Sequence, residues 1–309
     1  MNLRHLIFFR ELAKTQHMSK AAENLGISQP SLSYAMDNLE KQLGVPLFNR
    51  EGRNIKLSRF GEIYLPYINR GLEQIEHGNA ILEQSLNKDE GNIKLGYNNS
   101  LGHQLIPRLV AGFKQDDTAQ KISFELTKEH SNELFGRLVA EEFDFGLSTR
   151  YKKSEDKSIT DQLTFTPLIE QEIKVAVPID HPLADQTSVS VSEIAKYPQI
   201  YFSKNSELRP LMDSIFKKAK STPNIKLEVE DEDEAIGFIQ YYQGISLVPN
   251  MPQLDQKQIK LIPLKDNDVK CQYYLVLKNN TFLTPAVTRF KDFIIEYCKV
   301  NYTDKNKIL

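Results

Sequence analysis

The chain has 309 residues, and at about 100 to 200 residues per domain this length predicts two domains with room for a connector. Hydrophobic residues make up 40% and charged residues 26%, which is typical of a folded protein and excludes a fibrous or disordered chain. The formal net charge of −2 excludes a surface that coats nucleic acid over its whole extent, so any DNA-binding charge must be local.

Residues 1–15 have charged side chains within their apolar stretch, which is not typical of a signal peptide. The chain contains no run of about 18 apolar residues, so no membrane-spanning helix is predicted. We therefore expect a cytoplasmic protein that has no membrane partner.

Charge is distributed unevenly along the chain. Residues 1–60 contain nine Lys and Arg against five Asp and Glu, whereas residues 61–90 contain two against six. This asymmetry predicts an electropositive N-terminal module that is followed by a different structural unit.

The beginning of the chain has the pattern of three helices. Apolar residues at helical spacing predict a first helix that ends near Thr15. Ser19 can cap a second helix, which Gly26 ends, because glycine accepts the left-handed conformation after a helix. Ser28 can cap a third helix with Pro30 in its first turn. The last two helices and their short turn form a helix-turn-helix pattern.

The third predicted helix has an apolar stripe and an opposite polar face. The stripe consists of Leu32, Met36, Leu39 and Leu43. The outer face consists of Pro30, Ser33, Tyr34, Asp37, Asn38 and Lys41. Such a helix can read base edges in the major groove, with Gln29 bonding adenine and Ser31 and Ser33 bonding bases or phosphate. A solvated face on a three-helix core would show the same pattern.

Residues 45–58 predict two short strands around a turn at Glu51-Gly52. Arg50, Arg53 and Lys56 are spaced along this hairpin, as in a wing that contacts phosphate. The wing favours the DNA-binding interpretation of the third helix.

Residues 1–65 resemble the winged helix-turn-helix of LysR-type transcriptional regulators. The matching positions are Leu3 to Phe9, Ser19-Lys20-Ala21-Ala22, Leu25, Ser28-Gln29-Pro30-Ser31-Leu32-Ser33, Leu39-Glu40, Leu43-Gly44-Val45-Pro46-Leu47-Phe48, Arg50, Arg53, Leu57 and Gly61. The resemblance implies base and phosphate contacts by Gln29, Ser31 and Ser33. It also implies contacts with the DNA backbone by Ser19, Arg50 and Arg53.

Two residues of the outer face, Pro30 and Tyr34, complete the expected DNA-contacting set. The family commonly has a basic or polar residue such as Arg or Gln at the position of Tyr34, and Asp37 adds a negative charge to the same face. The chain departs from the family pattern at these two positions, so the bases read there do not follow from the resemblance.

Ser58 can cap a long helix from residue 59 to about residue 87. Its apolar residues alternate three and four positions apart, which predicts a seam against a partner helix. The seam consists of Leu65, Ile68, Leu72, Ile75, Asn79, Leu82 and Leu86. Pro66 should kink the helix or separate two segments. Asn79 can fix the register by pairing with its symmetry mate, or it can form a weak turn with Gly78.

A helix-turn-helix dimer reads two half-sites and gains specificity that a monomer lacks. The seam and the DNA-binding module therefore support one another. We expect a homodimer or homotetramer, held by the long helix and the C-terminal domain, on a pseudo-palindromic operator in double-stranded DNA.

From residue 91 the chain alternates predicted strands and helices, which indicates an α/β class with parallel sheets. Strands are predicted at residues 93–97, 122–127, 144–149, 165–177, 199–203, 225–229 and 245–248. Helices are predicted at residues 104–114, 131–141, 208–220 and 233–241.

The resemblance extends, more weakly, over this C-terminal part and implies a type II periplasmic-binding-protein architecture of two Rossmann-like subdomains. Its matching positions are Gly96, Ile106-Pro107, Phe113, Asp144-Phe145-Gly146-Leu147, His181-Pro182-Leu183 and Gly244-Ile245-Ser246-Leu247-Val248-Pro249. The expected domains are a winged helix-turn-helix at 1–58, a linker and dimerisation helix at 59–88 and an effector-binding domain at 91–303. Crossings near Thr164 and Lys265 divide the last into subdomain I at 91–163 plus 266–303 and subdomain II at 164–265.

The same resemblance implies an effector in the cleft between the subdomains. The residues expected to line it are Asn99, Ser100, Ser131, Thr149, Phe202, Ser203, Gly244 and Ser246. Short hydroxyl groups and free N–H groups at helix N-termini suit a carboxylate or another small anion. Each Ser or Thr can instead cap a helix. Arg209 can neutralise an anionic effector or pair with the acidic run at 228–234, which is usually a solvated connection.

The sequence has no HExxH, G-x-S-x-G, Walker A or dinucleotide-binding motif, so we expect no enzyme, no metal and no cofactor. We predict a sequence-specific transcriptional regulator whose operator binding or DNA bending is modulated by a small polar, anionic metabolite. The alternative is a cytoplasmic small-molecule-binding protein or enzyme in which DNA contact is secondary.

Overall fold

The computed structural model of the chain describes residues 2–51, 54–86, 89–102, 104–150, 156–242, 244–250, 258–265 and 267–302. The chain divides into two compact units, Met1–Leu86 and Asn87–Leu309. The first unit contains the predicted DNA-binding module together with the long helix, and the second contains the predicted effector-binding domain. The finer domain boundaries expected from the sequence stay a prediction.

The first unit is a winged helix-turn-helix that continues into a long helix. Its elements are α1 Leu3–Thr15, α2 Met18–Asn24, α3 Gln29–Leu43, β1 Phe48–Glu51, β2 Asn54–Leu57 and α4 Arg59–Ser85. The strands pair antiparallel as the predicted hairpin. Phe9, Leu12 and Leu39 are fully buried in the core beneath them. The three short helices, the wing and the long helix are thus confirmed.

Two of the predicted helix caps are present. The Ser28 hydroxyl oxygen accepts the backbone N–H of Ser31 at 3.3 Å at the start of α3. The Ser58 hydroxyl oxygen accepts the N–H of Gly61 at 3.1 Å at the start of α4. Each cap satisfies one of the N–H groups that the first turn of a helix leaves without a partner.

The predicted cap of α2 was wrong. The helix begins one residue before Ser19, and the N-cap is His17, whose Nδ1 accepts the backbone N–H of Lys20 at 3.3 Å. Ser19 lies inside α2 with an exposed side chain, which frees its hydroxyl for another contact. Gly26 has a φ of 65° in the turn to α3, the left-handed conformation that glycine adopts without strain.

The apolar residues of α4 serve two surfaces, which corrects the prediction of one continuous seam. Ile68 and Leu72 are buried in the core of the same unit, with Leu65 packed beside them. Leu82 and Leu86 are exposed. Periodicity alone cannot distinguish the protein's own core from a partner helix, because both need the same spacing.

Helix α4 continues through Pro66, so this proline does not separate two segments. Among the described helices, none is long and apolar enough to cross a membrane.

The second unit begins with three parallel strands and two helices. They are β3 Glu90–Tyr97, α5 Leu105–Phe113, β4 Lys121–Lys128, α6 Ser131–Val139 and β5 Phe145–Thr149. A short 3₁₀ helix, Asn99–Leu101, follows β3. We call this part, with the final helix given below, the first lobe. All three strands were predicted from the sequence.

After α7 Lys157–Thr160, the chain passes along β6 Leu163–Pro178 into a second lobe. The second lobe consists of α8 Val191–Ile194, β7 Pro198–Phe202, α9 Arg209–Lys218, β8 Asn224–Val229, α10 Glu232–Tyr242, β9 Ser246–Pro249 and β10 Ile259–Pro263. The chain returns along β11 Lys270–Lys278 and ends in α11 Pro285–Tyr302.

The main sheet has the strand order β10-β6-β11-β5-β3-β4, with β9 also paired to β6. The pairings β3–β4, β3–β5 and β7–β8 are parallel, as predicted. The partners of β6, and β5 with β11, are antiparallel, so the main sheet is mixed, whereas the sequence pattern indicated parallel sheets. The cause is the double crossing between lobes, since β6 runs outward and β11 runs back beside it.

Candidate functional site

The expected DNA-reading surface at the N-terminus of α3 is exposed and uncharged. The Ser28 and Ser31 hydroxyl oxygens lie 2.8 Å apart. The Ser19 hydroxyl donates to Gln29 Oε1 at 3.1 Å, although the two residues belong to different helices. This bond orients the Gln29 amide at the tip of α3. A glutamine held in this way can offer its amide nitrogen and oxygen to a base edge.

The remaining expected DNA contacts are distributed over the outer face of α3 and the wing. Pro30 and Tyr34 are exposed, and Tyr34 exposes 71% of its surface. Ser33 is half-buried. Arg50 lies in β1 with its backbone opposite Ile55, and Arg53 lies outside the described residues.

The second unit contains a cavity of about 220 Å³ between its two lobes. The described residues that line it are Asn99, Ser100, Lys128, Glu129, His130, Thr149, Ser206, Glu207, Leu208, Glu230, Asp231 and Glu232. The first six stand at or after the carboxyl ends of β3, β4 and β5. The other six stand at the starts of α9 and α10. The cavity therefore has the position at which parallel α/β sheets bind ligands.

A buried hydrogen-bond network supports the wall of the cavity in the first lobe. Asn98 is 1% exposed, and its Oδ1 accepts the backbone N–H of Thr149 at 2.7 Å. Its Nδ2 donates to Ser131 Oγ at 3.3 Å, and Ser131 Oγ lies 2.9 Å from Ser148 Oγ. The network links β3, β5 and α6, so it fixes their ends relative to one another.

Glu207 crosses the cleft from the second lobe and occupies the N-terminus of α6. One of its carboxylate oxygens accepts the backbone N–H of Ser131, and the other accepts Asn98 Nδ2 at 2.5 Å. His130, the N-cap of α6, makes no capping hydrogen bond with its side chain. Glu207 thus supplies the cap from the opposite lobe, at the place where the sequence predicted an anionic effector.

Burial raises the pKa of two carboxyl groups in this cavity. The pKa of Glu207 is raised because the group is withdrawn from water, although its hydrogen bonds oppose the shift. Glu232 is 5% exposed, and burial raises its pKa to about 7, with a further contribution from the nearby Asp231, Asp233 and Glu207. The cavity therefore holds an ionisable carboxyl group that titrates near neutral pH.

Two hydroxyl groups from the first lobe complete the wall. The Tyr273 hydroxyl donates to Ser100 Oγ at 3.1 Å, which orients the serine at the end of β3. Thr149 is 2% exposed, and its hydroxyl oxygen has no hydrogen-bond partner among the described residues.

The structure brings three of the expected effector residues, Asn99, Ser100 and Thr149, to the cavity. Ser131 stands behind the wall in the network described above. Phe202 is buried, and its carbonyl oxygen accepts Arg209 Nη1 at 2.7 Å. These placements leave the three lining residues as the strongest candidates of the first lobe.

The remaining expected residues stand in structural roles of the second lobe. The Ser203 N–H donates to the carbonyl oxygen of Val229 at 2.7 Å. Gly244 packs so closely that a Cβ would lie 2.8 Å from the Ile200 side chain. Ser246 is buried in β9.

From the sequence, the acidic run could pair with Arg209 or form a solvated connection, and the structure adds a further position for part of it. Three of its residues, Glu230, Asp231 and Glu232, line the cavity. Arg209 pairs with Glu228 at 2.7 Å and with Asp213 at 3.0 Å, so its charge is used within the second lobe. Glu207 had no motif around it in the sequence. In the described part of the chain, no group of three or more His, Cys, Asp or Glu is arranged to hold a metal ion.

Two family models match the chain. The model of the bacterial regulatory helix-turn-helix protein, lysR family, matches residues 3–62, and that of the LysR substrate binding domain matches residues 87–299. The chain is 34% identical over 297 residues to the HTH-type transcriptional regulator YybE of Bacillus subtilis strain 168, which covers 96% of this chain and 99% of that protein.

Solved structures with the same fold include the effector binding domain of QuiR in complex with shikimate. It is 30% identical, with a TM-score of 0.62, and the match covers 69% of this chain and 99% of that domain. Full-length BenM is 26% identical, with a TM-score of 0.59, and the match covers 98% of this chain and 99% of that one. These matches confirm the predicted fold class and the prediction that the protein is not an enzyme. The chain belongs to the LysR family of DNA-binding transcriptional regulators and carries an effector-binding domain.

Proposed function

We propose that the protein binds a pseudo-palindromic operator as a homodimer or homotetramer in the cytoplasm. A small polar metabolite in the cavity modulates operator binding or DNA bending. The observation that carries this proposal is a cavity at the carboxyl ends of three parallel strands, bridged by Glu207 from the opposite lobe. A ligand that breaks this bridge removes a contact between the lobes, and so it changes the relation between them.

The proposed reading of DNA rests on the tip of α3. Gln29 is exposed and oriented by Ser19, while Ser31 and Ser33 stand beside it on the first turns. Arg50 and Arg53 of the wing would hold phosphate by charge and fix the orientation of the helix. Base reading by α3 and phosphate binding by the wing are separate tasks, so the reading helix can be nearly neutral.

The proposed oligomer rests on the exposed apolar residues of α4. Phe60, Ile63 and Tyr67 are exposed on the first turns, and Leu82 and Leu86 are exposed near the end. Burial of such a surface stabilises association. Sedimentation of the purified protein will separate monomer, dimer and tetramer, and a monomer at micromolar concentration would contradict this part of the proposal.

An anionic effector, as the sequence suggested, would have to compete with Glu207 for the N–H of Ser131. QuiR binds shikimate in the structure of its effector domain, and shikimate carries a carboxylate. An anion in this cavity would therefore open the contact between Glu207 and α6.

The experiment that tests the proposal is fluorescence anisotropy of the full-length protein on the DNA upstream of its own gene, against a scrambled duplex, near 150 mM salt. We expect a preference of about a thousandfold or more. Equal and weak binding to both duplexes would favour a small-molecule-binding protein in which DNA contact is secondary.

A matched pair of variants locates the reading surface. Gln29→Ala should weaken operator binding by about tenfold, because a bidentate contact with a base contributes about 1–3 kcal/mol. Gln42→Ala makes the same chemical change at an exposed site in the last turn of α3 and should leave affinity unchanged. Equal effects of the two changes would remove Gln29 from the proposed contacts.

A further inference from the structure

The lining of the cavity contains more acidic than basic side chains. Its described side chains include five carboxylates, those of Glu129, Glu207, Glu230, Asp231 and Glu232. The basic side chains in the same lining are Lys128 and His130, and both are exposed. A small cavity with this balance attracts a cation and repels an anion.

Most of these carboxylates already have partners in the protein. Arg137 pairs with Glu129, and Asp231 accepts the backbone N–H of Glu234 at 3.0 Å as part of the first turn of α10. Glu207 is bound by Ser131 and Asn98. These contacts are structural. Glu230 is exposed to solvent. Glu232 is therefore the buried carboxyl group with the least compensation, since its own backbone N–H is the donor recorded for it among the described residues.

Glu232 is 5% exposed, and the charged groups that act on it are the carboxylates of Asp231, Asp233 and Glu207. Buried carboxylates in proteins are normally paired with a cation or bound by several donors. In the described part of the chain no ion pair involves Glu232, so a cation supplied by a ligand would satisfy it.

The Thr149 hydroxyl is an independent sign of a ligand. Thr149 lines the cavity and is 98% buried, and its hydroxyl oxygen has no partner among the described residues. Buried polar atoms without a hydrogen bond are uncommon, and each one needs an explanation such as contact with a ligand. This hydroxyl belongs to the first lobe, whereas Glu232 belongs to the second, so one small molecule would engage both lobes.

We infer that the effector of this cavity is a small aliphatic amine. Its ammonium group is balanced by Glu232, and the bound amine contacts the cavity wall that contains Thr149. This inference rests on the proposed function and specifies the chemistry of its ligand. It departs from the anion expected from the sequence, because Glu207 already occupies the N-terminus of α6 and four further carboxylates surround the space.

The titration of Glu232 gives the inference a pH signature. In the protein without ligand the pKa of Glu232 is raised to about 7, so its carboxyl group is largely protonated at pH 6 and largely ionised at pH 8. A bound ammonium favours the ionised form, so binding releases protons at pH 6. Affinity for an amine should therefore fall by about tenfold between pH 8 and pH 6.

The decisive experiment is titration calorimetry of the full-length protein with butane-1,4-diamine, with n-butylamine and with succinate. Succinate has a similar length to the diamine and the opposite charge. We expect at least one of the amines to bind at millimolar concentration or below, and succinate to bind at least tenfold more weakly. Binding of succinate without either amine, or no binding of either amine at 10 mM, would overturn the inference.

Two variants assign the counter-charge. Glu232→Gln should weaken amine binding by about thirtyfold or more, because it removes one partner of a buried charge pair. Glu133→Gln removes a nearby exposed carboxylate in the first turn of α6 that does not line the cavity, and it should change affinity by less than about twofold. Equal losses in the two variants would mean a general field effect and would overturn the role of Glu232.

The pH series serves as a second readout, since it uses the wild-type chain and does not depend on a variant that folds. The charged or titratable side chains around Glu232 that share this environment are Lys128, Glu129, His130, Glu207, Glu230, Asp231, Asp233 and Tyr273. Amine affinity that is equal at pH 6 and pH 8 would contradict the inference. Specific operator binding, measured separately, tests the proposed function. If the protein binds its operator but no amine, the amine inference is wrong and the proposed function stands.

Discussion

The N-terminus of α3 is exposed and surrounded by uncharged polar side chains, whereas the N-terminus of α6 is closed by a carboxylate that the same chain supplies. Both helix ends present N–H groups of the kind that bind phosphate or carboxylate. At α3 the Ser28 side chain provides the cap locally. At α6 the N-cap His130 provides none, and Glu207 does so from the other lobe. The same helix geometry therefore leaves one site open for an external partner and makes the other a contact between lobes.

The largest expected effect comes from breaking the closed site at Asn98. Asn98→Ala removes donors to Glu207 and Ser131 and the acceptor for the N–H of Thr149. We expect the free energy of unfolding of the second unit to fall by about 4 kcal/mol, because several buried polar groups lose their partners. Chemical denaturation followed by circular dichroism measures it. Asn99→Ala, at the adjacent half-buried position, is the control, and equal losses would show that the network does not hold the wall.

Burial of Glu232 in the cavity should make the stability of the protein depend on pH. The folded state raises its pKa from 4.5 to about 7, so the folded protein keeps a proton that the unfolded chain releases. Stability is therefore lost as pH rises from 4.5 through 7. Glu232→Gln lacks this loss, and at pH 8 it should be more stable than wild type by at most about 3 kcal/mol. Thermal unfolding across this range measures the difference, which should vanish below pH 4.5. Parallel pH profiles of the two proteins would contradict the burial of an ionised Glu232.

Removing Glu207 should make the N-terminus of α6 resemble that of α3. Glu207→Ala exposes the N–H of Ser131 to solvent and removes one negative charge from the cavity. We expect succinate to bind this variant about tenfold more tightly than wild type, since a helix N-terminus favours an anion by about 1–2 kcal/mol. Calorimetry at one salt concentration, with Glu133→Gln as the charge control, measures this gain. Identical succinate binding in all three proteins would mean that Glu207 does not exclude anions.

The smallest effect concerns the open site. Ser19→Ala removes the hydrogen bond that orients Gln29, and it should weaken operator binding by less than about fivefold. If Ser19 acts through Gln29, the double variant with Gln29→Ala should bind about as well as Gln29→Ala alone. Fluorescence anisotropy of the four proteins completes the cycle. Additive losses would mean that Ser19 contacts DNA independently.

Local chemistry made the first unit predictable. A serine before a helical pattern and a glycine after it are signals of helix ends, and Ser28, Ser58 and Gly26 have these roles in the structure. His17 was missed as a cap because a histidine ring serves this function rarely, whereas Ser19 nearby has the common residue type.

Distant contacts made the cavity less predictable. Asn99, Ser100 and Thr149 follow predicted strands, and the rule for parallel sheets places such residues at one edge. Glu207 reaches Ser131 across 76 positions of sequence, and no local pattern indicates such a contact. The burial of Glu232 likewise depends on tertiary contacts of α10, which the acidic run itself does not encode.

The position of β11 has a consequence for how the protein is made. This strand lies between β5 and β6 in the main sheet, although the whole second lobe separates it from them in the chain. The main sheet therefore cannot be completed until residues 270–278 have left the ribosome. Domains fold as units during synthesis, and the N-terminal one folds first. The winged helix can be complete while the effector-binding domain still lacks its central strand, so a nascent or truncated chain would have a DNA-reading unit without ligand control.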